Sequence, residues 1–192
     1  MKKELVILGH PDDESFCADL ANSYYEGAIS AGKEVDLLKL SELDFKENLE
    51  HGYRKRTDLE PDLSQARDLI DKADHIVWVF PIWWSTMPAR MKGFIDRLFL
   101  PGWAFGRGGG IPEKLLKGKT SQLIVSMDSP IWYYKFFLKE PIKYSFVKGT
   151  LSFCGIKNTS INYFTPIKTS SKEKRSIWIQ KTFKIGASTN VK

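Results

Sequence analysis

A short apolar stretch is the feature that most constrains the fold of this chain. Residues Ile76 to Phe80 are all apolar or aromatic, and Pro81 ends the run. Five such residues without polar alternation are typical of a strand that is buried on both of its faces. Strands of this kind lie inside parallel sheets that are covered by helices. The stretch therefore predicts an α/β protein.

Strand patterns alternate with helical patterns along the rest of the sequence. Strands are predicted at residues 4–9, 34–40, 76–80, 119–127 and 156–164, and helices at 15–31, 62–72, 88–99 and 170–185, with a further helix that ends at about Phe153. Because right-handed crossovers place helices on both faces, this alternation predicts a doubly wound, five-stranded parallel sheet of order 2-1-3-4-5, in a three-layer sandwich. The length of 192 residues fits a single domain over residues 1–192.

Composition and charge narrow the class of protein. The net charge of +6 is concentrated after Thr165, where Lys and Arg far outnumber a single acidic residue, Glu173. This pattern is typical of a solvated helix face, so we predict neither nucleic-acid binding nor a membrane span. Two cysteines are too few for a disulfide framework, and we recognise no signal peptide. We therefore expect a cytoplasmic protein.

Three loops are predicted to meet at one edge of the sheet. They follow strands one, three and four, and they read HPDDES, PIWWSTMP and DSPIWYY. In this topology the carboxyl ends of the strands share an edge, and ligands bind there. Ser15 is placed to cap a helix whose amino end suits a phosphate, while Trp83 and Trp84 suit a flat ring. The loops together predict a phosphate-bearing planar cofactor, a flavin.

The first loop also allows a different interpretation. HPDDE resembles the signature of zinc-dependent deacetylases of N-acetyl sugars, in which His10 and Asp13 would be zinc ligands and Asp12 the general base. Such a site needs a third protein ligand. His51 lies in an irregular polar connection, and His75 is predicted at the opposite edge of the sheet. The zinc enzyme remains the less favoured hypothesis, and the favoured one has no metal site.

The stretch from Pro81 to Phe105 resembles the flavodoxin-like NAD(P)H:quinone oxidoreductases, the family of DT-diaphorase and the modulator-of-drug-activity B proteins. The shared pattern is P-x-x-W, a proline, K-G-x-x-D-R and an aromatic loop ending in A-F, together with H-x-x-x-x-S-F from His10. The likeness covers roughly Glu4 to Met127. It implies a homodimer that transfers hydride from NAD(P)H, through bound FAD or alternatively FMN, to a quinone or similar small-molecule acceptor. A flavin-binding electron carrier or regulatory module is the second hypothesis.

The resemblance and the converging loops also assign roles to individual residues. Those predicted to hold the flavin are His10, Ser15, Phe16, Cys17, Pro81, Ile82, Trp83, Trp84, Ser126, Met127 and Asp128. Tyr133 or Tyr134 is expected to stabilise charge on the reduced cofactor. The resemblance places Phe105 in the substrate pocket of a partner subunit, and Trp103 and Trp132 are expected to line that pocket.

Two further stretches receive predictions. The connection from Ser41 to Pro61 is long and polar, which predicts either a functional excursion or a covering loop. The glycine-rich stretch from Gly106 to Gly110 lacks the strand before it and the helix after it that a dinucleotide-binding fingerprint requires. We therefore do not expect it to hold a phosphate.

Overall fold

A computed structural model describes residues 2–55, 57–106 and 113–188. The prediction for the glycine-rich stretch therefore falls outside the described residues from position 107 onward. The strands are β1 (Glu4–Leu8), β2 (Val35–Lys39), β3 (His75–Pro81), β4 (Thr120–Ser126) and β5 (Lys157–Phe164), and the α-helices are α1 (Phe16–Ser30), α2 (Pro61–Lys72), α3 (Ala89–Leu98) and α4 (Lys172–Ala187). Two π-helical segments, Tyr133–Phe137 and Lys143–Ser152, lie between β4 and β5.

The five strands form one parallel sheet in the predicted order, β2-β1-β3-β4-β5. Every residue of β3 is buried, which confirms the interpretation of its apolar run as a central strand. The register pairs Leu8 with Val79 and Pro81 with Ser126. The carboxyl ends of β1, β3 and β4 therefore lie side by side at one edge, as predicted.

The sheet divides the core into two layers of contacts. On one face, Trp78 and Phe80 pack in a cluster with α2, α3 and the π-helical segments. On the other face, Val77 and Val79 pack in a cluster with α1 and α4. Successive residues of β3 thus serve opposite faces, because side chains alternate along a strand. This arrangement is the predicted three-layer sandwich.

The segment after β4 differs from the prediction of a continuous helix to about Phe153. The structure instead has two π-helical segments, with Lys139 and Glu140 between them at φ angles of +62° and +49°. Pro141 follows directly. A proline lacks the amide hydrogen for a helical bond and disfavours helical geometry in the residue before it, so the helix ends and restarts there.

The connection between β2 and α2 is a covering loop that lies on α3. Arg90 donates to the carbonyl oxygens of Leu40 and Leu43, and its guanidinium carbon lies 4.8 Å from the centre of the Phe45 ring. Arg97 donates to the carbonyl oxygen of Lys46, at 2.6 Å. Cations of α3 thus satisfy carbonyl groups that a polar connection would otherwise leave without donors.

The basic helix α4 packs closely against α1. Phe16 and Phe164 contact the Trp178 ring, with centroids 6.0 and 5.7 Å away. Gly27 faces the backbone of Phe183, and a Cβ atom added to Gly27 would lie far inside van der Waals contact with it. One face of α4 therefore packs in the core, while the lysines of the helix are exposed. No helix within the described ranges is long and apolar enough to cross a membrane.

We expect Gly27→Ala to lower the free energy of unfolding by about 2 kcal/mol, because the two helices must separate to accommodate the methyl group. At an exposed helical site the same substitution would instead stabilise by roughly 1 kcal/mol, so the sign is informative. Urea denaturation measures the difference. Glu26→Ala, at an exposed position one residue away, is the control and should change stability by less than about 0.5 kcal/mol. A neutral or stabilising Gly27→Ala would contradict the close packing.

Candidate functional site at the carboxyl edge of the sheet

A cavity of about 210 Å³ opens where β1, β3 and β4 end. Its lining combines residues from the three converging loops with one residue from the loop after β5. They are His10, Ser15, Phe16, Cys17, Pro81, Ile82, Trp83, Ser126, Met127, Asp128 and Ile167. The structure thus brings together every residue predicted to hold the cofactor except Trp84. Sequence reasoning missed Ile167, because it reaches the cavity through a tertiary contact that no local pattern signals.

The amino end of α1 opens into this cavity. Ser15 is the cap residue, and its hydroxyl accepts a hydrogen bond from the amide of Ala18. Among the described residues, the amides of Phe16 and Cys17 have no acceptor, as is usual in the first turn of a helix. Free amides and the helix dipole together favour an anion at this position.

Hydrogen bonds and a ring contact hold the side chains of the loop after β1. The Nδ1 atom of His10 lies 2.9 Å from the amide nitrogen and from the carbonyl oxygen of Asp12. Its ring meets the Trp83 ring edge-on, with centroids 5.4 Å apart. Asp13 accepts hydrogen bonds from Ser41, at 2.6 Å, and from Lys39, at 3.4 Å. The carboxylates that the zinc hypothesis invokes are thus engaged in turn and surface contacts. The described part of the chain contains no group of three or more His, Cys, Asp or Glu side chains placed to hold a metal ion.

The floor of the cavity is polar but carries no ionised side chain. The Sγ atom of Cys17 lies 3.1 Å from the hydroxyl of Ser126, which joins α1 to the end of β4. Burial raises the pKa of the Cys17 thiol to about 12, although the hydrogen bond with Ser126 acts in the opposite direction. The thiol is therefore neutral at physiological pH. Asp128, at the rim, accepts a hydrogen bond of 2.7 Å from the amide of Lys168.

The loop after β3 contains a tight turn that separates the two tryptophans. Trp83 and Thr86 exchange backbone hydrogen bonds of 2.9 and 3.0 Å. The two residues between them, Trp84 and Ser85, have φ angles of +50° and +65°. Residues other than glycine rarely have positive φ angles, and backbone strain of this kind is often found at functional sites. The turn directs Trp83 toward the cavity, whereas the Trp84 side chain is 99% exposed.

The two candidate tyrosines occupy different environments, and neither lines the cavity. Tyr134 is buried, and its hydroxyl accepts a hydrogen bond from the amide of Ile142. Burial raises its pKa to about 12. Tyr133 is partly exposed and stacks on Phe137, with ring centroids 5.6 Å apart. Tyr134 therefore lies in the core of this chain, and the role assigned to either tyrosine stays a prediction.

The three residues predicted for the substrate pocket are also dispersed within this chain. Trp132 is exposed and contacts Tyr133 edge-on. Phe105 contacts Phe153 at a centroid distance of 5.1 Å. Trp103 is hydrogen-bonded to Asp71 on α2. None of the three lines the cavity at the carboxyl edge in this chain, and their part in a substrate pocket stays a prediction.

Comparison with known proteins places this chain in a family. The family model described as the flavodoxin-like fold matches residues 2–181. A Haemophilus influenzae relative named an uncharacterized NAD(P)H oxidoreductase is 29% identical over 181 residues, which are 92% of this chain and 90% of the relative. The mouse ribosyldihydronicotinamide dehydrogenase (quinone) is 25% identical, with 93% and 87% covered. The crystal structure of Smu.1420 from Streptococcus mutans is 30% identical with a TM-score of 0.84, covering 96% of this chain and 98% of that one.

These matches confirm the predicted resemblance and the expectation of an oxidoreductase. One relative is named an NAD(P)H oxidoreductase and the other a ribosyldihydronicotinamide dehydrogenase, and each is matched along nearly its whole length. The parallel sheet of order 2-1-3-4-5 agrees with the matched family model. The chain therefore belongs to the flavodoxin-like fold family, among relatives named as NAD(P)H oxidoreductases and quinone dehydrogenases.

Proposed function

We propose that this protein is a flavin-dependent NAD(P)H:quinone oxidoreductase. The observation that carries the proposal is the cavity at the switch point of the sheet, which is lined both by the amino end of α1, with its free amides, and by Trp83. An anion-binding helix end beside an indole ring suits a molecule that joins a phosphate to a flat heteroaromatic ring. The same residues would hold it whether the protein is an enzyme or an electron carrier.

The residues present fit a flavin, and they favour FMN over FAD. The amides of Phe16 and Cys17 would bind the phosphate, and Ile82 and Trp83 would lie against the ring. Three acidic residues, Asp12, Asp13 and Glu14, directly precede this helix end, and all three are exposed. A second phosphate beyond the first would approach these carboxylates and be repelled. FMN ends at its phosphate and places no further anionic group beside them.

The flavin, when bound, supplies the capacity to accept hydride from NAD(P)H and to pass it to a quinone. The protein's part is to orient the flavin ring and to stabilise the negative charge that would develop at the edge of the ring. Among the described lining residues His10 is the only side chain that could become cationic, so hydrogen-bond donors such as the hydroxyl of Ser126 would supply most of that stabilisation. Because the cavity encloses only about 210 Å³, below the usual roughly 300–1,000 Å³ of small-molecule sites, much of the ring would remain accessible to substrate.

A second subunit is part of this proposal. Trp132, Tyr133, Phe136 and Phe137 are large exposed aromatic residues in the segment that follows β4. Apolar exposure of this extent is typical of protein interfaces. A homodimer would cover these residues and complete the open side of the cavity.

The test is to titrate the purified protein with FMN and FAD and then to measure NAD(P)H oxidation with menadione. We expect saturable FMN binding, weaker FAD binding and turnover that requires flavin. Binding without turnover would support the electron-carrier alternative instead. A protein that binds neither flavin would contradict both hypotheses.

The adjacent tryptophans provide a matched pair of variants. We expect Trp83→Ala to weaken FMN binding about tenfold or more, because the lost ring lines the cavity and contacts His10. Trp84→Ala removes a side chain that is 99% exposed and should change affinity by less than about threefold. Flavin fluorescence quenching measures both dissociation constants. A larger effect at Trp84 would show that the cofactor lies outside this cavity.

A further inference from the structure

A second and larger cavity lies away from the cofactor site. It has a volume of about 440 Å³ and is formed by the covering loop, α2, the carboxyl end of α3 and the loop after α3. It shares no lining residue with the cavity at the carboxyl edge of the sheet. Its volume lies within the range of roughly 300–1,000 Å³ that small-molecule sites occupy.

One wall of this second cavity is flat, apolar and held in place. Trp103 donates from its indole Nε1 to the Asp71 carboxylate, at 2.9 and 3.2 Å from the two oxygens. Its ring also meets Phe99 edge-on, with centroids 5.5 Å apart. Leu59 and Leu98 extend the apolar lining. A ring restrained from two sides presents a fixed surface against which a planar ligand could pack.

The same cavity contains polar groups that lack partners. The Nε atom of Arg67 and the hydroxyl of Thr57 are buried, and neither has a hydrogen-bond partner within the described ranges. Asp71, one turn further along α2, accepts from Trp103 and from no described atom of Arg67. No ion pair of Arg67 is formed with any residue that the structure describes. A buried donor without an acceptor is costly, so the guanidinium of Arg67, which lines the cavity and forms no ion pair with a described residue, points to an anionic ligand.

We propose that this cavity binds a small organic anion with a flat apolar body. The guanidinium of Arg67 binds the anionic group, since its planar donors match a carboxylate or a phosphate. Lys55 at the cavity lining adds a second positive charge. The apolar body packs against Trp103 and Leu98. The site is separate from the proposed flavin cavity and does not depend on flavin chemistry.

Calorimetric titration with three probes of one shape tests this proposal. The probes are 2-naphthoate, 2-naphthyl phosphate and the neutral 2-naphthamide, each with and without saturating FMN. We expect at least one of the two anions to bind saturably and at least tenfold more tightly than the amide, and the preferred anion identifies the ligand chemistry. Binding that is unchanged by FMN supports a separate site, whereas competition with FMN would assign the probe to the other cavity and overturn the proposal.

Two variants separate a specific site from general attraction by positive charge. Arg67→Gln should weaken binding of the preferred anion about tenfold or more and leave the amide unaffected. Arg54→Gln removes the same charge from an exposed position that does not line the cavity, and should change anion affinity by less than about twofold. Equal losses in the two variants would overturn the proposal. Because Arg67 could also affect folding, Lys55→Gln at an exposed position of the cavity lining provides a milder change and should weaken binding of the anion severalfold, while an unchanged affinity would count against the site.

Discussion

Replacing Arg97 with methionine is expected to lower the free energy of unfolding by about 3–5 kcal/mol. The Arg97 side chain is only 1% exposed, and its guanidinium donates to both oxygens of the Glu60 carboxylate, at 3.0 and 2.6 Å. It also donates to the carbonyl oxygens of Lys46 and Asp58. Methionine preserves the apolar stem but leaves these acceptors without their charged donor. Denaturation in urea at neutral pH gives the difference.

Lys92→Met is the matched control for this substitution. Lys92 lies on the same helix and pairs with Asp96, but its side chain is 56% exposed. Surface ion pairs of this kind contribute little, so the control should lose less than about 1 kcal/mol. Proteolysis adds a local measurement, because Arg97 anchors both ends of the covering loop. Arg97→Met should be cleaved faster within residues 46–58 than elsewhere, and comparable losses in the two variants would contradict the anchoring role.

Acidification is expected to destabilise the protein between about pH 6.5 and pH 4 through His75. This residue is 1% exposed, and burial lowers its pKa to about 4, with a smaller contribution from the charges of Lys33 and Lys2. The hydroxyl of Thr120 donates to the carbonyl oxygen of Asp74, so Nδ1 of His75 must donate to Thr120. Its Nε2 atom then has no described partner that could stabilise an added proton.

The direction of this pH effect follows from proton binding. Between the unfolded pKa of about 6.5 and the folded pKa of about 4, the unfolded chain holds more protons on His75 than the folded chain does. Stability therefore rises with pH across this interval and is lost as the pH falls through it. The full difference in pKa corresponds to about 3 kcal/mol.

Measuring the free energy of unfolding from pH 4 to pH 7 tests the role of His75. His75→Leu should be less sensitive to pH over this interval than the unaltered protein, whatever its stability at pH 7. His51→Gln, in the covering loop, removes a histidine elsewhere and should keep the original pH dependence. Parallel pH profiles for His75→Leu and the unaltered protein would mean that His75 is not the group responsible.

Local patterns predicted the sheet well because a strand that is buried on both faces appears in the sequence as an uninterrupted apolar run. The apolar run Ile76 to Phe80 marked β3 within one residue at each end. Ser15 was predicted as the cap of α1, and its hydroxyl accepts from Ala18 as a cap should. The segment after β4 was predicted less well. An aromatic loop leading into one helix was predicted, whereas the structure has two π-helical segments that are interrupted before Pro141.

The candidate site was predicted from topology together with family resemblance. Parallel strands end at a common edge, and this placed the loops from His10, Pro81 and Ser126 around one cavity. The direction in which individual side chains point could not be predicted from the sequence. Neighbouring residues in a tight turn point apart, so Trp83 lines the cavity while Trp84 does not.

The sequence by itself determined the parallel α/β sheet, its strand order and the edge at which a ligand would bind, because each follows from local hydrophobic periodicity and chain connectivity. Only the tertiary structure decided which aromatic residues reach that edge, and it alone revealed the cavity at Arg67. An unpartnered cation is recognisable only when its neighbours are known: Asp71 lies at helical spacing from Arg67, and only the structure shows that it accepts from Trp103, in a distant loop, and not from Arg67. Contacts between residues far apart in the chain leave no pattern in a single sequence.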